Sequence, residues 1–268
     1  EHARGSNIHL DFPSVGATEN IMLAAVMAKG VTVLTNAAKE PEIVALADFL
    51  RKMGAKIGGA GSSSIIVEGV GKLHGVEYTP IPDRIAAGTF LLAGAITGGD
   101  VVVKDCNPWH MQALISKIDG TAGTLQINKN EIRIKAFKKQ HSIELIETQP
   151  YPGFPTDLQA QILALECIGD NSSMIVENLF ETRFKQVTEL VKMGANVVVR
   201  DRYALVRGVE KLHGAQVTAP DLRAGAALVL AGLAAEGTTE VHNIAQIDRG
   251  YYELEKTLSS LGANIKRV

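Results

Sequence analysis

The sequence predicts an α/β (α+β) protein in which repeated β-α-β-α-β-β units set helices inside and sheets outside, an inside-out barrel truncated at its N-terminal side. Three observations carry this expectation. A helix ending recurs as K-M-G-A-K-I around Gly54, T-A-G-T-L-Q-I around Gly123, K-M-G-A-N-V around Gly194 and S-L-G-A-N-I around Gly262, at intervals of about 70 residues. A strand ending keeps the same interval, in V-T-V-L-T-N to Asn36, V-V-V-K-D to Asp105, M-I-V-E-N to Asn178 and T-E-V-H-N to Asn243. Finally, G-V-G-K-L-H-G at 69–75 returns as G-V-E-K-L-H-G at 208–214, two intervals on.

Within each unit the elements follow in a fixed order. The chain opens without an initiating Met on E-H-A-R-G-S, a turn running into an alternating strand from Asn7 to Asp11. Then comes a helix apolar nearly all round: T-E-N-I-M-L-A-A-V-M-A, A-A-G-T-F-L-L-A-G-A-I, L-Q-A-Q-I-L-A-L-E-C-I and L-R-A-G-A-A-L-V-L-A-G-L-A-A in the four copies. Such a helix is expected to be buried on every side. A short β-branched strand follows, then an amphipathic helix such as E-I-V-A-L-A-D-F-L-R-K-M, for which the recurrent Gly is the expected C-cap. A hairpin such as A-K-I-G-G-A-G-S-S-S-I-I-V-E-G completes the unit. The fourth copy stops at N-I-K-R-V without its last strand, and both ends read as cut from a larger closed structure.

Composition narrows the function classes. Over 268 residues, 46% are hydrophobic and 21% charged, with a net charge of -2, and the pI is near 6.4. There is no basic excess for nucleic acid or an anionic membrane to meet, so small-molecule partners are expected. The apolar run from Ala224 to Ala235 falls short of the roughly 20 residues a membrane span needs. No signal-peptide pattern opens the chain, and a cytoplasmic location is expected. Cys106 and Cys167 lack metal-ligand spacing, as do the seven histidines, so neither a metal nor a cofactor is expected.

The residues that open the four apolar helices are Ser14, Asp83, Asp157 and Asp221. All are preferred N-caps, and capping accounts for each taken singly. Arg84 in P-D-R-I and Arg223 in P-D-L-R are less expected there, because a cation at the positive end of a helix dipole costs about 0.3–1 kcal/mol. Each calls for an anion nearby, either a ligand or a neighbouring carboxylate. If like units pack symmetrically, their helix starts gather on one side and form an anion-attracting surface suited to a phosphorylated or carboxylated ligand. Arg249 in I-D-R-G-Y suits bidentate recognition of such groups, a solvated surface arginine being the alternative. The loop N-L-F-E-T-R-F, residues 178–184, sets an aromatic, a carboxylate and an arginine after the third strand ending.

Together and in this order, S-V-G-A-T-E-N-I-M, A-A-K-E-P-E-I-V, P-D-R-I-A-A-G-T-F, F-P-T-D-L-Q-A-Q, F-E-T-R-F, D-L-R-A-G-A-A-L-V-L-A-G and I-D-R-G-Y resemble the UDP-N-acetylglucosamine 1-carboxyvinyltransferases, of the enolpyruvyl transferase family. The resemblance spans essentially the whole chain, and S-V-G-A-T and F-P-T-D-L-Q-A-Q are more specific than the architecture shared with EPSP synthases. It implies the enolpyruvyl transferase fold, with two domains of three units each, related by pseudo-threefold symmetry and closing over a cleft. On this mapping residues 1–80 are the last unit of the first domain, and 81–268 are the second domain without its closing N-terminal strand. The reaction implied is transfer of enolpyruvyl from phosphoenolpyruvate to the 3-hydroxyl of UDP-N-acetylglucosamine with release of phosphate, the first committed step of peptidoglycan synthesis.

The resemblance also distributes roles. Ser14, Val15 and Gly16 would meet the diphosphate, and Asp157 would bind and deprotonate the sugar hydroxyl. Leu179 would contact the sugar through its backbone, Arg223 and Arg249 would hold phosphoenolpyruvate, and Arg183 would join the same anionic cluster. The family's catalytic Lys-Asn pair and its Cys-bearing loop have no match among these residues, neither Cys106 nor Cys167 standing in a Gly-rich loop. Phe12 and Pro13 stand where some members carry Lys, and Ala86 where many carry Glu. The expectation is that this chain alone does not turn over and that its natural partner is a missing N-terminal segment of the same protein. The alternative is a truncated relative that binds a nucleotide sugar or a partner chain without catalysis.

Overall fold

A computed structural model describes residues 3–268; Glu1 and His2, where the opening turn is expected to begin, lie outside them. The chain divides into two compact units, one running to Ile81 and taking in Pro150–Pro152, the other made of Pro82–Gln149 and Gly153–Val268.

The first unit contains β1 (Asn7–His9), α1 (Val15–Ala25), β2 (Val31–Thr35), α2 (Pro41–Lys52), β3 (Lys56–Gly58) and β4 (Ser64–Glu68). Its sheet runs β1-β2-β4-β3, with β1 parallel to β2 and β4 antiparallel to both β2 and β3. Alternation along V-T-V-L-T and S-I-I-V-E turns Leu34, Ile65 and Val67 inward onto Met22 of α1 and Ile43, Ala47 and Leu50 of α2. Pro41 opens α2 where its missing N–H costs nothing, and Gly54 ends it with a φ of 102°. The strand expected to reach Asp11 stops at His9.

One expectation fails in this unit. α1 buries only Thr18, Met22 and Ala25, and Leu23 and Met27 remain 48% exposed. An all-apolar helix is covered on every side only where other elements surround it, and within the first unit α1 packs on α2, β2 and β4.

In the second unit the corresponding apolar helices are enclosed by that unit's own elements. This unit begins with α3 (Arg84–Ile96), β5 (Asp100–Lys104), α4 (Gln112–Ile118), β6 (Gly123–Ile127) and β7 (Glu131–Ala136). A complete repeat follows in β8 (Leu145–Glu147), α5 (Gln159–Glu166), β9 (Ser172–Val176), α6 (Gln186–Lys192), β10 (Asn196–Arg200) and β11 (Tyr203–Arg207). The last repeat consists of β12 (Gln216–Thr218), α7 (Leu222–Ala234), β13 (Glu240–His242), α8 (Ala245–Asp248) and α9 (Leu254–Ser260). The sheet β8-β9-β11-β10 repeats the strand order of the first unit, while β5-β7-β6 and β12-β13 form smaller sheets. α3, α5 and α7 pack on one another, and the sheets lie outside them. α5 is buried at all eight of its positions, including Gln159, Gln161 and Glu166.

The repeat signals resolve into backbone geometry. Asn36, Asp105 and Asn243 at the strand ends adopt left-handed φ values of 55°, 52° and 58°, which short polar side chains tolerate best among non-glycine residues. The side-chain amides of Asn36, Asn178 and Asn243 donate to the carbonyls of Leu10, Thr148 and Ala219, one neighbouring segment in each of three repeats. Gly194 and Gly262 cap their helices like Gly54, at φ values of 90° and 99°. Gly123 does not. α4 ends at Ile118, Gly120 makes the turn with a φ of 79°, and Gly123 begins β6, where a Cβ would stand 2.5 Å from the Lys135 carbonyl oxygen.

Candidate functional site

The starts of α3, α5 and α7 differ in how their backbone amides are satisfied. Asp83 Oδ1 accepts from the N–H groups of Ile85 and Ala86 at 2.7 and 3.0 Å, and Asp221 Oδ1 from those of Arg223 and Ala224 at 3.0 and 2.9 Å. These are ordinary caps. Asp157, expected to cap in the same way, lies in a 3-10 turn, Thr156–Leu158, and accepts no backbone hydrogen bond as a cap. The turn already pairs the N–H groups of Leu158 and Gln159 with the carbonyls of Pro155 and Thr156. The carboxylate is therefore available to side chains.

Two arginines take it. Arg183 Nη2 donates to Oδ1 at 2.6 Å, and Arg223 Nη2 to Oδ2 at 2.8 Å. The side chains are 36% exposed for Asp157, 22% for Arg183 and 16% for Arg223, so the pair is sheltered while the carboxylate remains reachable. Each oxygen keeps a lone pair open to another donor. Burial would lower the Arg223 pKa, but the charge of Asp157 and the adjoining Tyr251 outweigh it, and the guanidinium is held protonated above its ordinary range.

Behind the ion pair sits a buried polar knot. The hydroxyls of Thr89 and Tyr251 meet at 2.8 Å, and Gln161 Nε2 reaches Thr89 Oγ1 at 3.2 Å, the Asp157 carbonyl at 3.0 Å and the Tyr251 hydroxyl at 3.4 Å. The N-terminal halves of α3, α5 and α7 thus gather at one point. To one side, the fully buried Glu177 accepts from the Thr148 and Thr156 hydroxyls at 2.9 Å each, and from the N–H groups of Leu179 and Phe180 at 2.9 and 3.1 Å. It ties the turn bearing Asp157 to the loop bearing Leu179 and Arg183. The Arg183 guanidinium lies 5.0 Å above the Phe180 ring.

Of the residues expected from sequence, Asp157, Arg183 and Arg223 form one cluster, and Leu179 is bound to it through Glu177. Arg249 follows α8 on the surface, its guanidinium turned to Gln246 at 3.5 Å. In the first unit, Ser14 caps α1 through Oγ on the Ala17 N–H at 3.3 Å; Val15 opens the helix, and Gly16 is exposed with open space where a Cβ would be. Early amides of a helix have no partner within it. The sequence reading missed Thr89, Gln161, Glu177 and Tyr251 as site residues. A glutamine inside an all-apolar helix was the available signal, since a buried amide demands partners. Among the described residues no group of three or more His, Cys, Asp or Glu could hold a metal ion, and no helix is long and apolar enough to cross a membrane.

Comparison with known proteins agrees with this architecture. The sequence profile of the family described as EPSP synthase (3-phosphoshikimate 1-carboxyvinyltransferase) matches residues 1–258. UDP-N-acetylglucosamine 1-carboxyvinyltransferase 2 of Caldanaerobacter subterraneus subsp. tengcongensis is 54% identical over 265 residues, covering 99% of this chain and 64% of that protein. UDP-N-acetylglucosamine 1-carboxyvinyltransferase of Desulfatibacillum aliphaticivorans is 51% identical over 268 residues, again with 64% of its length covered. The chain therefore spans just under two thirds of the relatives it matches. Among solved structures, the enolpyruvyl transferase NikO from Streptomyces tendae superposes with a TM-score of 0.85 at 26% identity, covering 98% of this chain and 66% of that one. EPSP synthase from Acinetobacter baumannii, with a TM-score of 0.74 at 20% identity over 99% of this chain and 64% of that one, shares the fold.

Proposed function

We propose, from the premise that this chain belongs to the EPSP synthase family of enolpyruvyl transferases, that it carries part of the site for transferring enolpyruvyl from phosphoenolpyruvate to the 3-hydroxyl of UDP-N-acetylglucosamine. The bond between C2 of the enolpyruvyl group and the phosphate oxygen breaks, a bond from C2 to the sugar oxygen forms, the hydroxyl proton is taken up, and phosphate leaves. In the cell this reaction commits material to peptidoglycan. The observation that carries the reading is Asp157: released from capping and held by two arginines, in a chain about half identical to proteins named for that reaction.

Asp157 offers its remaining lone pairs to the sugar hydroxyl and takes the proton. Leu179 is assigned to the sugar through its backbone. Arg223, Arg249 and Arg183 supply the positive charge that phosphoenolpyruvate and the departing phosphate need. At the start of α1, the amides near Val15 and Gly16 and the Ser14 hydroxyl suit a diphosphate. No match to the family's Lys-Asn pair or Cys loop stands within the 268 residues, so this polypeptide assayed alone is expected to be inactive.

The test is phosphate release from phosphoenolpyruvate with and without UDP-N-acetylglucosamine. It is run on the 268-residue polypeptide and on the full-length gene product. Release by the full-length product that requires the nucleotide sugar is expected. Equal release with shikimate 3-phosphate in its place would overturn the substrate assignment, and turnover by the shorter polypeptide would overturn its expected inactivity.

A further inference from the structure

We propose that Glu177 is a positioning residue that sets the distance across which Arg183 meets Asp157. The catalytic consequence rests on the function proposed above, while the geometry stands on hydrogen bonds within the chain itself.

The bonds around this carboxylate close a ring. Oε2 accepts from the hydroxyl of Thr156, the residue directly before Asp157, at 2.9 Å. Oε1 accepts from the N–H groups of Leu179 and Phe180 at 2.9 and 3.1 Å, and these residues open the loop that carries Arg183. The ring is completed where Arg183 Nη2 donates to Asp157 Oδ1 at 2.6 Å. Thr148 adds a brace, its hydroxyl donating to Oε1 at 2.9 Å and accepting from the Asn178 N–H at 2.9 Å. A single side chain therefore holds both approaches to the ion pair.

Two differences among the repeats separate this role from ordinary packing. The residues one step before the strand ends Asn36, Asp105, Asn178 and Asn243 are Thr35, Lys104, Glu177 and His242. Thr35 is half-buried and Lys104 and His242 are exposed, whereas Glu177 is completely buried. Asn36, Asp105 and Asn243 turn the chain in the left-handed conformation, and Asn178 does not. The two N–H groups that follow Asn178 are turned onto the carboxylate instead. This arrangement belongs to the one repeat of the second unit whose helix-start aspartate is released from capping. A carboxylate taken out of water is costly unless donors surround it, and the four that meet Glu177 are neutral groups, so the loss of one is felt by the rest.

The experiment compares Thr156→Val and Thr156→Ser in the full-length gene product. Valine keeps the shape of the side chain and cuts the bond to Glu177 Oε2, while serine keeps the bond and drops the methyl group. In protein labelled at arginine nitrogen, the Arg183 side-chain N–H signals are identified by their loss in Arg183→Lys. They are expected to be separate in the wild type, to merge or vanish in Thr156→Val and to return in Thr156→Ser. In the phosphate-release assay kcat of Thr156→Val is expected to fall on the order of tenfold, the loss of one hydrogen bond to a charged group. KM for UDP-N-acetylglucosamine should stay within about twofold, because Leu179 keeps its bond to Glu177, and serine should recover most of the lost kcat. Arg183 signals unchanged by Thr156→Val would overturn the proposal, as would a kcat lost equally in both variants. A lowered thermal midpoint with kcat at the wild-type value would also overturn it, reducing Glu177 to a structural support. A wild-type protein without turnover would sink the proposed function, while the arginine signals would still decide the role of Glu177.

Discussion

The starts of α3 and α7 and the start of α5 carry an aspartate at the same point of one repeated unit, and the three carboxylates end in different company. Asp83 and Asp221 each satisfy two backbone amides of their own helix. At α5 a 3-10 turn has already satisfied those amides, and Asp157 is held by arginines 26 and 66 residues away in the chain. The difference teaches that one copy of a repeated capping residue, released from its local duty, becomes available to side chains from distant parts of the chain. The opposite end of α5 adds a contrast: Glu166 is buried with no ion-pair partner among the described residues, accepting from the Ile143 N–H at 3.0 Å and from the Ser173 hydroxyl.

The sharpest way to break the comparison is Asp157→Asn in the full-length gene product. Turnover is expected to fall about 10²–10⁴-fold, the range for loss of a general base, with the thermal midpoint little changed. A loss of only a few-fold in the phosphate-release assay would return Asp157 to the structural class of Asp83.

Next in size is the pH dependence of stability. Burial raises the Glu166 pKa from 4.5 to about 7, against the lowering by Ser173 and the Ile143 amide and with a further rise from Asp170. The unfolded chain releases this proton near 4.5 and the folded one near 7. The stabilisation is therefore complete below about 4.5 and is lost as pH rises to 7, by roughly 3 kcal/mol over the interval. Denaturant melts at several pH values should show that slope, and Glu166→Gln should flatten it. An unchanged slope in the variant would mean that the carboxyl is ionised in the folded state.

Asp83→Ala tests the other arm of the comparison. It should cost about 1 kcal/mol in denaturant unfolding and leave turnover near the wild-type value. A loss of turnover comparable with that of Asp157→Asn would show that the start of α3 is more than a cap. Ser14→Ala should have the smallest effect on stability, about 0.5 kcal/mol, the low end for loss of a cap, because its single capping bond is 3.3 Å long. Weaker UDP-N-acetylglucosamine binding by titration calorimetry is the expected second result, and unchanged affinity would remove Ser14 from the diphosphate site.

Much of this was legible in the sequence where the cause is local. Asn36, Asp105 and Asn243 marked strand ends because the left-handed turn there favours short polar side chains, and Gly54, Gly194 and Gly262 marked helix ends for a related reason. Gly123 misled because its neighbours copy the motif while the chain turns earlier, at Gly120. The apolar pattern of α1 and of α5 looked the same, yet only α5 is enclosed.

What the sequence determined by itself was the repeat, the order of elements within it and the residues placed at the helix starts, because capping, turn preference and hydrophobic periodicity act over a few residues. What only the tertiary structure decided was which of those residues is free to act. Asp157 meets Arg223 across 66 residues and Thr89 meets Tyr251 across 162. Such contacts depend on three helices converging. No pattern within a single helix records where the starts of its neighbours will lie.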